Sequence, residues 1–293
     1  MMIQKIFSFD EYEGFVNELA KHPQYSDPHF TYDKNNLYCS LKSKDKHAYV
    51  VLENGITKGL FVFIVLPDDR YVEMLIGFTK EEEAFIEMLE YMERNYCGYQ
   101  MDFVFNPQNM AIYKPLKLKG AIFEPEQMKM IQGGFVPNVS TSNIETLSDK
   151  WMKQYYDLHN IDTYWTAKRI VSALDKFRVF LVVKDEQVLG YLDVQSCYDI
   201  NEIYALYVKP EVVSQGYELA LLANAIELNR PNQMMVVVDV DNREEVDLYT
   251  AAGFVKLEGH NSMTAYIPQL NSGLYQSNFS EYIAQFCRHS ASQ

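Results

Sequence analysis

The sequence predicts an α/β protein with mixed sheets, built as two similar domains in tandem, and three observations carry that reading. The chain has 293 residues, 48% of them apolar, so each half can bury a core of its own. Two blocks recur at a nearly constant spacing. "AYVVLENGITKGLFVFIV" (48–65) resembles "VFLVVKDEQVLGYLDVQS" (179–196), placing Gly59 and Gly190 131 residues apart. "YQMDFVFNPQNMAIY" (99–113) matches "MVVVDVDNREEVDLY" (235–249), with Asn106/Asn242 and Tyr113/Tyr249 both 136 apart. Between these blocks each half carries a strand and then an amphipathic helix, the unit that crosses over a sheet.

Each half therefore reads as helices, a hairpin, a strand, a helix, a strand and a short helix. In the second half, "LSDKWMKQYYDLH" (147–159) and "TYWTAKRIVSALDKF" (163–177) predict two opening helices. "RVFLVVKD" and "QVLGYLDVQ" form the hairpin. "EIYALYV" alternates as a strand, which puts Ile203, Ala205 and Tyr207 on one face and Tyr204, Leu206 and Val208 on the other. Core-facing helices follow from the spacing of Phe85, Met88, Leu89 and Met92, and of Leu219, Leu222, Ala223 and Ile226. The Gly/Pro punctuation of "IQGGFVP" marks a join. The expected domains are 1–130 and 131–270, with a polar tail at 271–293 holding one weak helix around 279–286.

Composition narrows the function classes. Forty acidic residues against twenty-six basic ones give a formal charge of −14, which repels nucleic acid and anionic membranes. No segment has the unbroken apolar length of a membrane span, and "MMIQKIFSFDEYEGF" is too acidic for a signal peptide. Cys39, Cys97, Cys197 and Cys287 lie far apart, without a CxxC pair or nearby histidines. They read as reduced thiols of a cytoplasmic protein that holds no zinc.

"EIYALYVKPEVVSQGYELALL" (202–222) followed by "DVDNREEVDLYTAAGF" (239–254) resembles the acetyl-CoA-binding half of the GNAT family of N-acetyltransferases. The resemblance spans roughly 138–268; the first half shares the layout only through the repeat. A helix N-terminus with free amides and a positive dipole end suits a diphosphate. The resemblance implies that the amides of Ser214, Gln215, Gly216 and Tyr217 hold the pyrophosphate of acetyl-CoA. It further implies that the strand edge at Leu206 and Val208 pairs with the pantetheine arm. Asn242 could hold that arm or cap the next helix. Tyr249 is placed to donate a proton to the departing thiolate, or else packs in the core. Glu202 stands where part of the family carries its general base; a solvated strand-end carboxylate is the other reading. Asp193 and Tyr204 are candidates to line the acceptor pocket.

Two positions depart from the family pattern. Val213 stands where Gln or Arg is usual, and Glu218 where Gly or Ala is usual, close to the expected diphosphate. Both predict weak CoA binding or a shifted loop. In the first half, Glu81, Glu82 and Glu83 open the corresponding helix and satisfy its dipole themselves, so that half is expected to bind no CoA. Its Asn106 and Tyr113 then serve packing. The resulting expectation is an N-acetyltransferase with one site, in the second half, acting on a small-molecule or peptide amine. The alternative is a non-catalytic binding protein on a tandem GNAT-like fold. A transferase using aminoacyl-tRNA on the same fold is disfavoured by the negative charge.

Overall fold

In the computed structural model the described residues are 1–161, 163, 165–197 and 200–267. The polar tail with its expected helix lies outside them. The chain forms two compact units: Met1–Gln127 together with the described residues from Glu258 onward, and Met128–Leu257.

Along the first unit run β1 (Met2–Ile6), α1 (Glu13–Ala20), α2 (Pro28–Tyr32), α3 (Asn35–Tyr38) and the strands β2 (Lys46–Glu53), β3 (Ile56–Leu66) and β4 (Tyr71–Thr79). Then come α4 (Glu82–Asn95), β5 (Gln100–Phe105), α5 (Met110–Leu118) and β6 (Ile122–Phe123). The second unit runs β7 (Gln127–Gln132), β8 (Ile144–Thr146), α6 (Met152–Leu158), α7 (Ala167–Val171), β9 (Phe177–Lys184), β10 (Gln187–Cys197) and β11 (Ile200–Val208). It ends with α8 (Tyr217–Asn229), β12 (Gln233–Asp239), α9 (Arg243–Ala251) and β13 (Phe254–Lys256); β14 (Met263–Ile267) follows. Thus α6 and α7 are shorter than the helical stretches read from the sequence.

The first sheet has the order β1-β2-β3-β4-β5-β14-β6 and the second β13-β7-β12-β11-β10-β9-β8. The first unit thus takes one strand from beyond the second in sequence. β14 lies between β5 and β6, and β7 between β12 and β13. The first unit is consequently not contiguous in sequence; the limits fall at 127/128 and 257/258, where 130 and 270 were expected. Sequence periodicity finds a strand but not its pairing partner, so this crossing was not legible.

Both sheets are covered on two faces, as strand alternation requires. In β3, Phe61, Phe63 and Val65 pack with Phe85, Met88 and Leu89 of α4. Leu60, Val62 and Ile64 pack with Val16, Leu19 and Phe30 of the opening helices. In the second unit, Leu192 and Val194 of β10 meet Leu221, Leu222 and Ile226 of α8. Tyr191 faces Trp151 and Tyr155 instead. Gly190 is required where the hairpin is tight: a Cβ there would lie 2.6 Å from the Tyr207 carbonyl oxygen.

One local irregularity shapes both sheets. β4 runs antiparallel to β3 with an extra residue, Leu75, between the rungs Val62↔Ile76 and Phe63↔Met74. β11 does the same against β10, with Tyr204 extra between Asp193↔Ala205 and Val194↔Ile203. The bulge overturns the simple alternation expected for β11. Ile203, Leu206 and Val208 pack toward α8, whereas Tyr204 and Ala205 turn to the opposite face. At each bulge the parallel ladder to the next strand stops. β4 pairs with β5 only over Tyr71–Met74, and β11 with β12 only over Ile200–Glu202. Beyond those rungs each pair splays into a fork.

Candidate functional site

The two forks share a register but not their contents. Gly59↔Thr79 in the first unit corresponds to Gly190↔Val208 in the second. In the first unit the β4 edge is sealed by its own chain. The Gly77 N–H donates to Asp27 Oδ2 at 2.9 Å, and His29 Nδ1–H donates to the Leu75 carbonyl at 2.6 Å. Asn109 Nδ2 donates to the Thr79 carbonyl at 3.0 Å. Asn106 Nδ2 donates to the carbonyl oxygens of Pro23 (2.6 Å) and Ser26 (3.3 Å), fixing the segment that fills the fork. Every residue of β4 is buried. Nothing with its own amides can pair with that edge.

Helix α4 follows β4 directly in the chain. Glu81, Glu82 and Glu83 stand at its start, as expected, and Lys58 Nζ lies 2.8 Å from Glu81 Oε1. Asn109, rather than Asn106, caps α5, accepting from Ala111 N–H at 3.2 Å. Since α5 and α9 begin at Met110 and Arg243, the structural offset there is 133, not the 136 read from the repeat. Leu116, fully buried, therefore occupies the place that Tyr249 has in the second unit. Tyr113 instead stacks against Phe123 at 4.9 Å.

In the second unit the corresponding edge is more exposed. The groups equivalent to the Gly77 N–H and the Leu75 carbonyl are the Leu206 N–H and the Tyr204 carbonyl. Tyr204, Ala205 and Leu206 are half-buried and Tyr207 is exposed, whereas Val208 is buried. Past β11 the chain folds as a 3₁₀ turn over Pro210–Gln215, and Gly216 takes the left-handed conformation (φ +75°) before α8 starts. Val213, Ser214, Gln215 and Gly216 are exposed, while Tyr217 is buried. The Gly216 N–H is engaged by the Val213 carbonyl at 3.3 Å.

The charges around this loop are negative. Glu218, half-buried on the first turn of α8, has its carboxyl pushed upward by burial and then by Glu244. Burial and then Asp239 do the same to Glu245. Asn242 sits exposed at the start of α9 and caps it, accepting from the Glu245 N–H at 3.3 Å. Tyr249 is 4% exposed and packs edge-on against Phe254 at 5.6 Å. Burial first, then Glu245 and Glu218, push its phenol above its ordinary value.

Glu202 occupies the last rung before the fork opens, opposite Gln195 on β10 and Met235 on β12, and is buried. On the same face lies a network that sequence reading reached only through Asp193. Asp193 is fully buried; it accepts from the Tyr155 hydroxyl at 2.8 Å and lies 2.9 Å from His159 Nε2. His159 Nδ1–H donates to the Asn160 carbonyl at 2.8 Å, and its ring stacks on Tyr191 at 4.7 Å. Burial raises the Asp193 carboxyl, and the His159 contact opposes that. The network is saturated and holds the end of α6 to the sheet. Tyr204, at the bulge, bonds Thr163 Oγ1 at 2.6 Å and accepts from the Trp165 N–H at 3.3 Å. No spacing rule in the sequence links His159 or Tyr155 to Asp193.

Among the described residues no group of three or more His, Cys, Asp or Glu could hold a metal, and no helix is long and apolar enough to cross a membrane.

Residues 144–254 match the family model described as "Acetyltransferase (GNAT) family". No curated protein is similar to the chain in sequence. Solved structures share the fold at low identity. A GCN5-related N-acetyltransferase from Sphaerobacter thermophilus superposes with a TM-score of 0.61 at 11% identity, covering 80% of this chain and 84% of that one. A tandem GNAT protein from the clavulanic acid biosynthesis pathway gives 0.55 at 11% identity, with 92% and 99% coverage. A GNAT-family acetyltransferase from Colwellia psychrerythraea gives 0.51 at 12%, with 91% and 99%. The chain thus carries a GNAT domain in its second unit and has the architecture of two GNAT-like halves in tandem.

Proposed function

We propose that the second unit is an acetyl-CoA-dependent N-acetyltransferase acting on a primary amine of a small molecule or peptide. One observation carries this reading: the β11 edge is partly exposed in the unit that matches the family, while the equivalent β4 edge of the first unit is buried and bonded by its own side chains. The strand edge at Leu206 and Val208 would pair with the pantetheine arm. Acetyl-CoA would supply the thioester. The amine would lose its proton to Glu202 at the apex of the fork, and attack of its nitrogen forms the amide as the carbon–sulfur bond breaks. The Leu206 N–H would polarise the carbonyl, and the Tyr249 hydroxyl would donate to the departing sulfur. A cytoplasmic location belongs to the same reading.

The diphosphate end is the weak point of the fit, because Glu218 and Glu244 stand beside the loop that would hold it. Like charges roughly 4 Å apart oppose each other by about 4 kcal/mol at an effective dielectric of about 20. That rim favours the second reading, a tandem GNAT-like protein that binds without transferring. Calorimetric titration with acetyl-CoA separates the two. One site per chain, tightened about tenfold by Glu218→Ala, supports the transferase. Absence of binding in both wild type and Glu218→Ala overturns it and leaves the binding role.

A further inference from the structure

The face of the second sheet opposite α8 carries a polar column. On β10, Leu192 and Val194 point toward α8, so Tyr191, Asp193 and Gln195 point the other way. Gln195 faces Glu202 across the last rung before the fork, which puts their side chains in reach of each other. Gln195 is only 5% exposed, and among the described residues no group donates to its Oε1. A buried acceptor left without a donor is costly. Asp193 differs: Tyr155 and His159 already satisfy it.

Around this column stand aromatic rings. Tyr191 and Tyr207 lie 5.8 Å apart between ring centroids, and Tyr204 meets Phe177 edge-on at 6.2 Å. Tyr204 is half-buried and Tyr207 exposed on this face. The polar groups at the floor, a carboxylate and an amide oxygen, accept hydrogen bonds. An alkylammonium brings three N–H donors and a charge that aromatic faces attract; an alcohol brings one donor and no charge.

We propose that Gln195 is the specificity-determining residue of an ammonium subsite, set beside Glu202 under the apex of the fork, so that the acceptor is an alkylamine that arrives protonated. The subsite lies one rung from the bulge and delivers the amine nitrogen next to the carboxylate that would take its proton. The kinetic part of the test rests on the transferase reading; the binding part does not.

The full-length protein is titrated with butylammonium chloride, with 1-butanol as the uncharged isostere and sodium chloride as control, following tryptophan emission; Trp165 packs on Phe177 at 4.7 Å. The expected result is a saturable response to butylammonium alone. Gln195→Met, which keeps the chain length and removes the acceptor, weakens that response at least tenfold without changing the response to butanol. In turnover with acetyl-CoA the same variant raises KM for butylamine at least tenfold, changes kcat less, and leaves acetyl-CoA affinity unchanged. Equal responses to amine and alcohol, or an unchanged Gln195→Met, overturn the subsite. An amine response in a protein that binds no acetyl-CoA supports the subsite and sinks the transferase reading instead. A role for Gln195 in folding alone would lower thermal stability but leave the amine-to-alcohol ratio where it was.

Discussion

Tyr249 shows how far a single residue's position can be read. Its place one helix beyond the fork was legible from "LYTAAGF"; its environment was not. The phenol is enclosed with Phe254 and faces Glu218 and Glu245, all of which keep it protonated above its ordinary range. In the transferase reading such a group donates a hydrogen bond at every working pH and adds no alkaline limb to the rate profile. Tyr249→Phe is therefore expected to lower kcat by on the order of 10²-fold, with acetyl-CoA affinity and the shape of the pH profile unchanged. Steady-state rates from pH 6 to 9 check this; an alkaline limb that vanishes in the variant would contradict it. Glu202 likewise came out of sequence spacing. Gln195, His159 and Tyr155 did not, because only the β10–β11 register and the packing of α6 bring them to that face.

At the scale of elements, the fork is what the sequence described least well. A period of two predicts the strand but cannot foresee an inserted residue, and the bulge at Tyr204 exchanges Ile203 and Tyr204 between the expected faces. Repeat spacing suffered similarly: hairpins align at 131, whereas the last strand and helix align at 133, so Tyr113 was paired with Tyr249 in place of Leu116. The sealed fork of the first unit depends on Asp27, which accepts from both the Phe30 and Gly77 N–H groups. Burial raises its carboxyl from an ordinary 3.8 to about 6, partly offset by His29 and the backbone donors. Folding thus favours the protonated form, so its stabilising contribution is complete below about pH 4 and is lost as pH rises through 6. A shift of this size corresponds to roughly 3 kcal/mol. The first unit should melt higher at pH 4.5 than at pH 6.5 on this account, and Asp27→Asn should flatten that part of the difference. Calorimetric melting across pH 4–7 tests it, and a variant with the same slope as wild type would refute the assignment.

For the whole molecule, the consequential feature is that the first unit is completed by a strand that follows the second in sequence. β14 pairs with β5 along five rungs, Met263↔Phe105 to Ile267↔Met101, and with β6 on its other side. Ala265 is fully buried in the same core as Phe103 and Phe105. Removing β14 would leave β5 with a bare edge and uncover the α4 side of that core, a combination that invites aggregation. A chain ending at Leu257 keeps every strand of the second sheet and all of the residues assigned to the fork. It is therefore expected to lose the melting transition of the first unit while retaining the calorimetric response of the second to acetyl-CoA. A synthetic peptide of residues 258–267 should restore the lost transition in a concentration-dependent way, since a strand that binds only the folded unit stabilises it by mass action. If the shortened chain instead keeps both transitions, β14 is an accessory strand, and the two halves are independent in a way the sheet order does not suggest.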